Sequence, residues 1–107
     1  MLYQVTFHMD RQSFLALGED AANVRAAELE RAISARKAGR LLGLWLLADG
    51  NGAMFILDAD SHQAVNAELT TLPLFPHVRT VNLQALLPYP GLAEFGRGER
   101  AVESCDQ

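Results

Sequence analysis

The sequence predicts a small α+β domain, and three observations support this prediction. The chain has 107 residues, a length typical of one domain. Apolar residues alternate with polar ones in the first segment, recur at helical spacing in the second and run without interruption in the third. Half of the residues are hydrophobic, which is more apolar surface than one small core buries, so part of it is expected to lie against another subunit.

The chain opens with a predicted strand and a predicted helix. Residues 2–9 predict a strand because apolar and polar side chains alternate, which gives one apolar and one polar face. Residues 20–38 predict a helix, with Asp20 as its N-cap and Gly39 ending it in a left-handed conformation. The side chains expected to face the sheet from this helix follow at spacings of four, three and four: Ala22, Ala26, Leu29 and Ile33.

Two strands joined by a hairpin are predicted next. Residues 41–48 and 53–58 are apolar throughout, which is typical of strands buried on both faces. The Asp-Gly-Asn-Gly segment at 49–52 favours a hairpin between them. Ser61 is the expected N-cap of a second helix that runs to about residue 71.

A last alternating strand at residues 77–86 completes the order strand, helix, strand, strand, helix, strand. This order predicts a ferredoxin-like βαββαβ fold with strand order four, one, three, two and both helices on one face. The other face is expected to pack on the sheet of a second copy, which gives a dimeric α+β barrel with a pocket for a small organic ligand. One wall of that pocket is expected to be polar: Gln4, Thr6, His8, Thr80, Asn82 and Gln84.

Composition and charge exclude several classes of function. The net charge is −4 and aromatic residues are few, so no nucleic acid partner is expected. No apolar run reaches the ~18 residues of a membrane helix, and no secretory signal is present, so we expect a cytoplasmic protein. The single cysteine, Cys105, and three separated histidines predict no metal site. Residues 1–90 are expected to form the domain, and residues 91–107 a tail that contacts a partner or is disordered.

The stretch from residue 44 to residue 78 carries a recognisable pattern. It contains Leu44-Trp45 and ends in Leu72-Pro-Leu-Phe-Pro-His-Val78, and the first helix contains Arg25-Ala-Ala-Glu28. With these motifs, residues 1–90 resemble the muconolactone δ-isomerase family. The resemblance implies a dimeric barrel that assembles into larger rings, no cofactor, and the shift of a double bond in an unsaturated lactone acid during aromatic degradation. Such chemistry requires a base, its conjugate acid and a group that steadies an enolate.

The sequence departs from the family pattern at four places. Thr6 stands where the family has a basic residue, Gly43 replaces a histidine, and His77 replaces a tyrosine. A Gly-x-Tyr-Ala-Asn-like stretch is replaced by Asp-Gly-Asn-Gly-Ala at 49–53. The cationic site for the lactone carboxylate is therefore partly missing. This predicts the same scaffold with a substrate that is different or not settled by the sequence.

Three side chains are candidates for the chemistry itself. Glu28 is the expected base, because a carboxylate at the edge of an apolar pocket has a raised proton affinity. Its alternative role is a surface ion pair with Arg25 or Arg31. Arg25 is expected to hold a carboxylate or an enolate oxygen, or else to cover the helix edge. His8 is a candidate acid or base, or a histidine that is hydrogen-bonded for structural reasons.

Other side chains are expected to line the substrate pocket or to pack structurally. The two prolines around Leu74 and Phe75 stiffen that segment, so it presents two apolar side chains at low entropic cost. The expected substrate-binding residues besides Arg25 are Thr6, Trp45, Phe75, His77 and Asn82.

The sequence thus predicts an isomerase that uses no cofactor and shifts a double bond by proton transfer in an unsaturated lactone or oxo acid. Two alternatives stay open because fold alone does not decide function. One is a cyclase or a cofactor-free oxygenase that acts on an aromatic or polyketide substrate. The other is a protein that binds a small ligand without catalysis. In each case the expected partners are a small molecule and further copies of the same chain.

Overall fold

The computed structural model describes residues 1–91, which form one sheet and three α-helices. The predicted tail from residue 92 onward, with Cys105, lies outside the described residues. The elements in chain order are β1 (Leu2–Met9), α1 (Arg11–Leu15), α2 (Asp20–Lys37), β2 (Leu41–Leu46), β3 (Gly52–Asp58), α3 (His62–Thr70), a 3₁₀ helix (Phe75–His77) and β4 (Val78–Leu86).

The sheet has the order β2-β3-β1-β4 with antiparallel neighbours, which confirms the ferredoxin-like prediction. The register places Thr6 of β1 opposite Met54 of β3 and Asn82 of β4. Directly opposed residues share a face of the sheet. The sheet therefore has one face made of these residues and their alternate neighbours, here called the open face, and one face that carries the helices.

The hydrophobic core lies between the sheet and the helices. The alternation in β1 places its aromatic and β-branched residues on this side, where Val5 is fully buried. Val65 of α3 is also fully buried, so this helix packs closely on the sheet. The buried core residues are Tyr3, Val5, Phe7, Ala35, Leu41, Ala53, Phe55, Leu57, Val65 and Leu69.

Helix α2 is rotated relative to the prediction. Leu29 and Ile33 of the predicted inner stripe are 60% and 46% exposed, whereas Ala35 is buried. At about 100° per residue, the side chains that face inward lie roughly half a turn round the helix from the predicted stripe. The helix is rich in alanine, so this opposite side also offers small or apolar contacts. The side chains that face inward are Val24, Ala27, Glu28, Arg31, Ala32 and Ala35.

The ends of the helices test three of the predicted signals. Asp20 is the first residue of α2 rather than its cap, and no side chain caps that end within the described chain. Gly39 adopts a φ of +81°, which confirms the predicted left-handed stop. Ser61 caps α3 as predicted, since its Oγ accepts a hydrogen bond of 3.1 Å from the Ala64 N–H.

The short helix α1 was not expected from the sequence. Asp10 caps it, because its Oδ1 accepts a 3.2 Å hydrogen bond from the Ser13 N–H. Five residues are too few to establish a helical period, so sequence periodicity could not reveal this element. Its position matters because the backbone N–H of Asp10 also donates to the His77 carbonyl at 2.7 Å, which fixes α1 beside the 3₁₀ helix.

Candidate active site

The sheet separates the predicted site residues into two groups. By strand alternation and register, Thr6, His8, Trp45 and Asn82 belong to the open face. Glu28 lies on the opposite side, among the helices. Within one chain the structure therefore does not bring the expected base together with the expected polar wall.

Glu28 faces a small apolar cavity between α2, α3 and the sheet. The cavity measures about 50 Å³, which is room for water rather than for an organic substrate. The carboxylate oxygen Oε1 accepts a 3.1 Å hydrogen bond from the Leu74 N–H. Within residues 1–91 the other oxygen, Oε2, accepts no hydrogen bond. The residues around the cavity are Phe7, Glu28, Arg31, Ala32, Ala35, Leu41, Leu44, Phe55, Leu57, Glu68, Leu69 and Leu72.

Burial raises the pKa of the Glu28 carboxyl above its ordinary value of 4.5. The hydrogen bond from Leu74 and the positive charge of Arg31 act in the opposite direction and offset only part of the increase. A carboxylate with raised proton affinity and an uncommitted oxygen is suited to take up and return a proton.

The predicted alternative of an ion pair at Glu28 is not found. Salt bridges among residues 1–91 do not include this carboxylate. Arg31 instead donates to Thr71, with bonds of 2.9 Å to its carbonyl oxygen and 2.8 Å to its Oγ1. Arg31 therefore joins α2 to the end of α3, and its charge acts on Glu28 from a fixed position.

A larger cleft lies next to this cavity, between α1, α2 and the hairpin end of the sheet. Its volume is about 500 Å³, within the range of small-molecule sites. Leu74 lies at the boundary between the two spaces, because its side chain lines the cleft while its backbone N–H donates a hydrogen bond to Glu28 at the cavity. The residues around the cleft are Met9, Arg11, Phe14, Leu15, Arg25, Leu46, Gly50, Asn51, Gly52 and Leu74.

Arg25 is held at this cleft by a row of stacked side chains. Its Cζ lies 5.0 Å from the ring centroid of Phe14, a cation–π contact. The Phe14 ring packs edge-on against His77 at 6.0 Å, and His77 Nδ1 lies 2.7 Å from Ser13 Oγ in a hydrogen bond. His77 therefore positions α1 and Phe14. Sequence reasoning missed this role because it did not foresee α1.

The proline-bracketed segment forms the wall between the two spaces. Leu72 lines the small cavity and Leu74 lines the cleft, while Phe75 is half-buried and lines neither. The segment also supplies the N–H that holds Glu28. The stiffness that its prolines provide thus fixes a hydrogen-bond donor as well as apolar side chains.

The polar residues of the open face form cross-strand pairs. His8 and Thr80 are opposed in the sheet, and His8 Nδ1 lies 3.3 Å from Thr80 Oγ1 in a hydrogen bond. Thr6 is opposed to Asn82, which is exposed. This agrees with the structural alternative for His8. The family's basic residue at the position of Thr6 would stand on this face too, so its absence removes no charge from the cleft.

Trp45 lies over Gly43 on the open face. A Cβ added to Gly43 would stand 2.5 Å from Cη2 of the Trp45 indole, closer than two carbons approach. The indole thus occupies the space that a side chain at position 43 would need. Replacing the family's histidine by Gly43 is what allows this position of the indole.

We expect Gly43→Ala to displace the Trp45 indole. The unfolding free energy should fall by about 1–3 kcal/mol, because the added methyl group overpacks the site. Trp45 is the only tryptophan, so its fluorescence emission should shift measurably when the ring moves. Leu42→Ala, an exposed neighbour in β2, serves as a control with unchanged emission. An unchanged spectrum in Gly43→Ala would contradict this account.

Residues 1–91 contain neither a cluster of metal ligands nor a membrane-spanning helix. Within that part of the chain, no three His, Cys, Asp or Glu side chains come together as a metal site would require. Among its helices, none is long and apolar enough to cross a membrane.

An antiparallel sheet with helices on one face, and a half-buried carboxylate near an arginine-lined cleft, define a small α+β protein with a candidate acid–base site. The family model of muconolactone delta-isomerase matches residues 1–91, and the chain belongs to that family. Among functionally curated proteins, none matches this chain.

Solved structures agree with this assignment. A crystal structure of muconolactone isomerase has 26% identity and a TM-score of 0.70, and the match covers 85% of this chain and 93% of that one. The 5-chloro-2-hydroxyhydroquinone dehydrochlorinase of Burkholderia phenoliruptrix, in complex with 2,5-dihydroxybenzoquinone, has 14% identity and a TM-score of 0.57, with 81% and 94% covered. At 14% identity the second likeness shows the fold alone.

Proposed function

We propose that the protein is an isomerase that shifts a double bond by proton transfer in an unsaturated lactone or oxo acid. The observation that carries the proposal is Glu28, a carboxylate of raised pKa that faces an apolar cavity with one oxygen free of hydrogen bonds within residues 1–91. It stands in the Arg25-Ala-Ala-Glu28 stretch through which the first helix resembles the family.

In the proposed reaction, Glu28 removes a proton from the γ carbon of an α,β-unsaturated carbonyl substrate. The electron pair of the broken C–H bond moves into a dienolate, and protonated Glu28 then returns the proton to the α carbon, which leaves the double bond in the β,γ position. Proton gain and loss balance, so no oxidant or reductant is needed. Arg25, one helical turn before Glu28, supplies positive charge to offset the developing enolate.

The body of the substrate is proposed to occupy the 500 Å³ cleft. The cavity at Glu28 is too small for a lactone, and it is the space into which the reacting carbon would reach. Leu15, Leu46 and Leu74 give the cleft an apolar lining on which the body of a bound substrate would pack. A substrate seated there would shield Glu28 from water, which favours the return of the proton to carbon over its loss to solvent.

A second copy of the chain is proposed to cover the open face. The open face carries apolar side chains that a single chain leaves half-buried or exposed: Leu2, Trp45, Met54, Ile56 and Leu86. Such a patch on a chain of this size is typical of an interface. Sheet-on-sheet packing would also bring the His8 wall of one subunit towards its partner.

The first test is a direct assay with muconolactone, in which the ultraviolet absorbance reports the movement of the double bond. We expect turnover by the full chain without an added cofactor. If neither muconolactone nor bulkier, less charged unsaturated lactones are isomerised, the proposal is wrong. Saturable binding of the same compounds without turnover would then favour a binding protein.

A further inference from the structure

The 500 Å³ cleft is positively charged, whereas the chain as a whole is acidic. Two arginines line it, Arg11 and Arg25, and no aspartate or glutamate does. The chain as a whole carries a net charge of −4. Neither guanidinium takes part in a salt bridge or a hydrogen bond within residues 1–91. Two uncompensated cations beside apolar side chains favour a ligand that has an anionic group and an apolar body.

The two arginines reach the cleft from different elements. Arg25 belongs to α2 and lies one turn before Glu28, near the proposed proton transfer. Arg11 is the first residue of α1, the helix that hydrogen bonds from Asp10 and Ser13 to His77 hold in place. Arg11 therefore stands on a fixed support at the other side of the cleft.

We infer that Arg11 is a specificity-determining residue that binds the carboxylate of the substrate. This inference rests on the proposed function and adds to it the residue that would hold the substrate carboxylate. The sequence predicted that a threonine at position 6, in place of the family's basic residue, leaves the carboxylate without a cation. Thr6 belongs to the open face and not to the cleft, so this expectation is replaced by a carboxylate site at Arg11. A planar guanidinium matches a carboxylate with two parallel hydrogen bonds.

Binding without turnover tests this inference. The probe is the saturated γ-lactone acetic acid, 5-oxotetrahydrofuran-2-acetate, which has the ring and the carboxylate but no double bond to move. Calorimetric titration of the full-length protein is compared with that of Arg11→Gln, and the methyl ester of the probe serves as the uncharged counterpart. Arg36→Gln is the matched control, since Arg36 is exposed near the other end of α2 and does not line the cleft.

We expect Arg11→Gln to weaken binding of the acid about tenfold, the usual effect of losing a charge-assisted hydrogen bond. Binding of the ester should not change, and Arg36→Gln should bind both compounds like the wild type. In turnover with an active substrate, Arg11→Gln should raise KM and leave kcat nearly constant, whereas Arg25→Gln should lower kcat. Arg11 is exposed, so its replacement should not disturb folding.

An unchanged affinity of Arg11→Gln for the acid would overturn the inference, as would equal binding of acid and ester by the wild type or no binding at millimolar concentration. These results are distinct from failure of the proposed function. Arg11-dependent binding without isomerase activity would leave the carboxylate site standing and remove the isomerase. Isomerase activity that does not depend on Arg11 would leave the proposed function standing and remove the carboxylate site.

Discussion

Glu28→Gln should lower the isomerase turnover number by a factor of about 10² to 10⁴, the usual contribution of a general base. A glutamine oxygen still accepts the hydrogen bond that Leu74 donates to Glu28 at 3.1 Å, so the local structure is retained. The amide cannot take up a proton from carbon. The loss should therefore appear in kcat, while the affinity for the saturated acid stays near that of the wild type.

Glu30→Gln is the matched control for this experiment. Glu30 lies on the same helix, is exposed and faces neither the cavity nor the cleft. Its replacement changes the net charge equally and should leave turnover unchanged. If Glu28→Gln keeps more than a tenth of the wild-type turnover, another group is the base.

The pH dependence of stability provides a second measurement on the same pair of variants. Because burial raises the pKa of Glu28 above 4.5 in the folded state, the folded protein holds this proton more tightly than the unfolded chain does. The resulting stabilisation is complete below about pH 4.5 and is lost as the pH rises through the folded pKa. As the pH rises from about 4.5, the free energy of unfolding of Glu28→Gln should therefore increase relative to that of the wild type. Denaturant titrations at several pH values would measure this gain.

Ile56→Lys should convert the proposed oligomer into a monomer of about the chain mass, 11.7 kDa, in light scattering. Ile56 belongs to the open face of β3, opposite Gln4 and Gly43. If a second sheet packs there, the new ammonium group is buried without a partner, which costs several kcal/mol per subunit. In an isolated chain the same lysine would reach water, so the fold should persist in circular dichroism.

Ala67→Lys, at an exposed position of α3, adds the same charge away from the sheet and should not change the mass. A wild-type mass of 11.7 kDa at micromolar concentration would contradict the dimeric barrel. An unchanged oligomeric mass in Ile56→Lys would place the subunit contact on another surface, such as the exposed apolar residues Leu29 and Ile33 of α2.

The sequence was sufficient for the order and pairing of the strands. Successive side chains of a strand point to opposite faces of the sheet, so in β1 Val5 must face the core if Thr6 faces the open side. Capping and turn chemistry are equally local, which is why Ser61 and Gly39 behave as predicted. The motif around Glu28 also pointed to a carboxylate that the structure finds half-buried.

Tertiary structure decided which residues share a site. An alanine-rich helix can turn more than one face to a sheet, so only packing could show that Glu28 points inward while Leu29 does not. The meeting of Arg25, Phe14 and His77 depends on α1, an element too short for sequence periodicity to reveal. The separation of Glu28 from the open face follows from strand register and helix placement together. Both depend on contacts between residues far apart in the chain, and local sequence patterns do not encode such contacts.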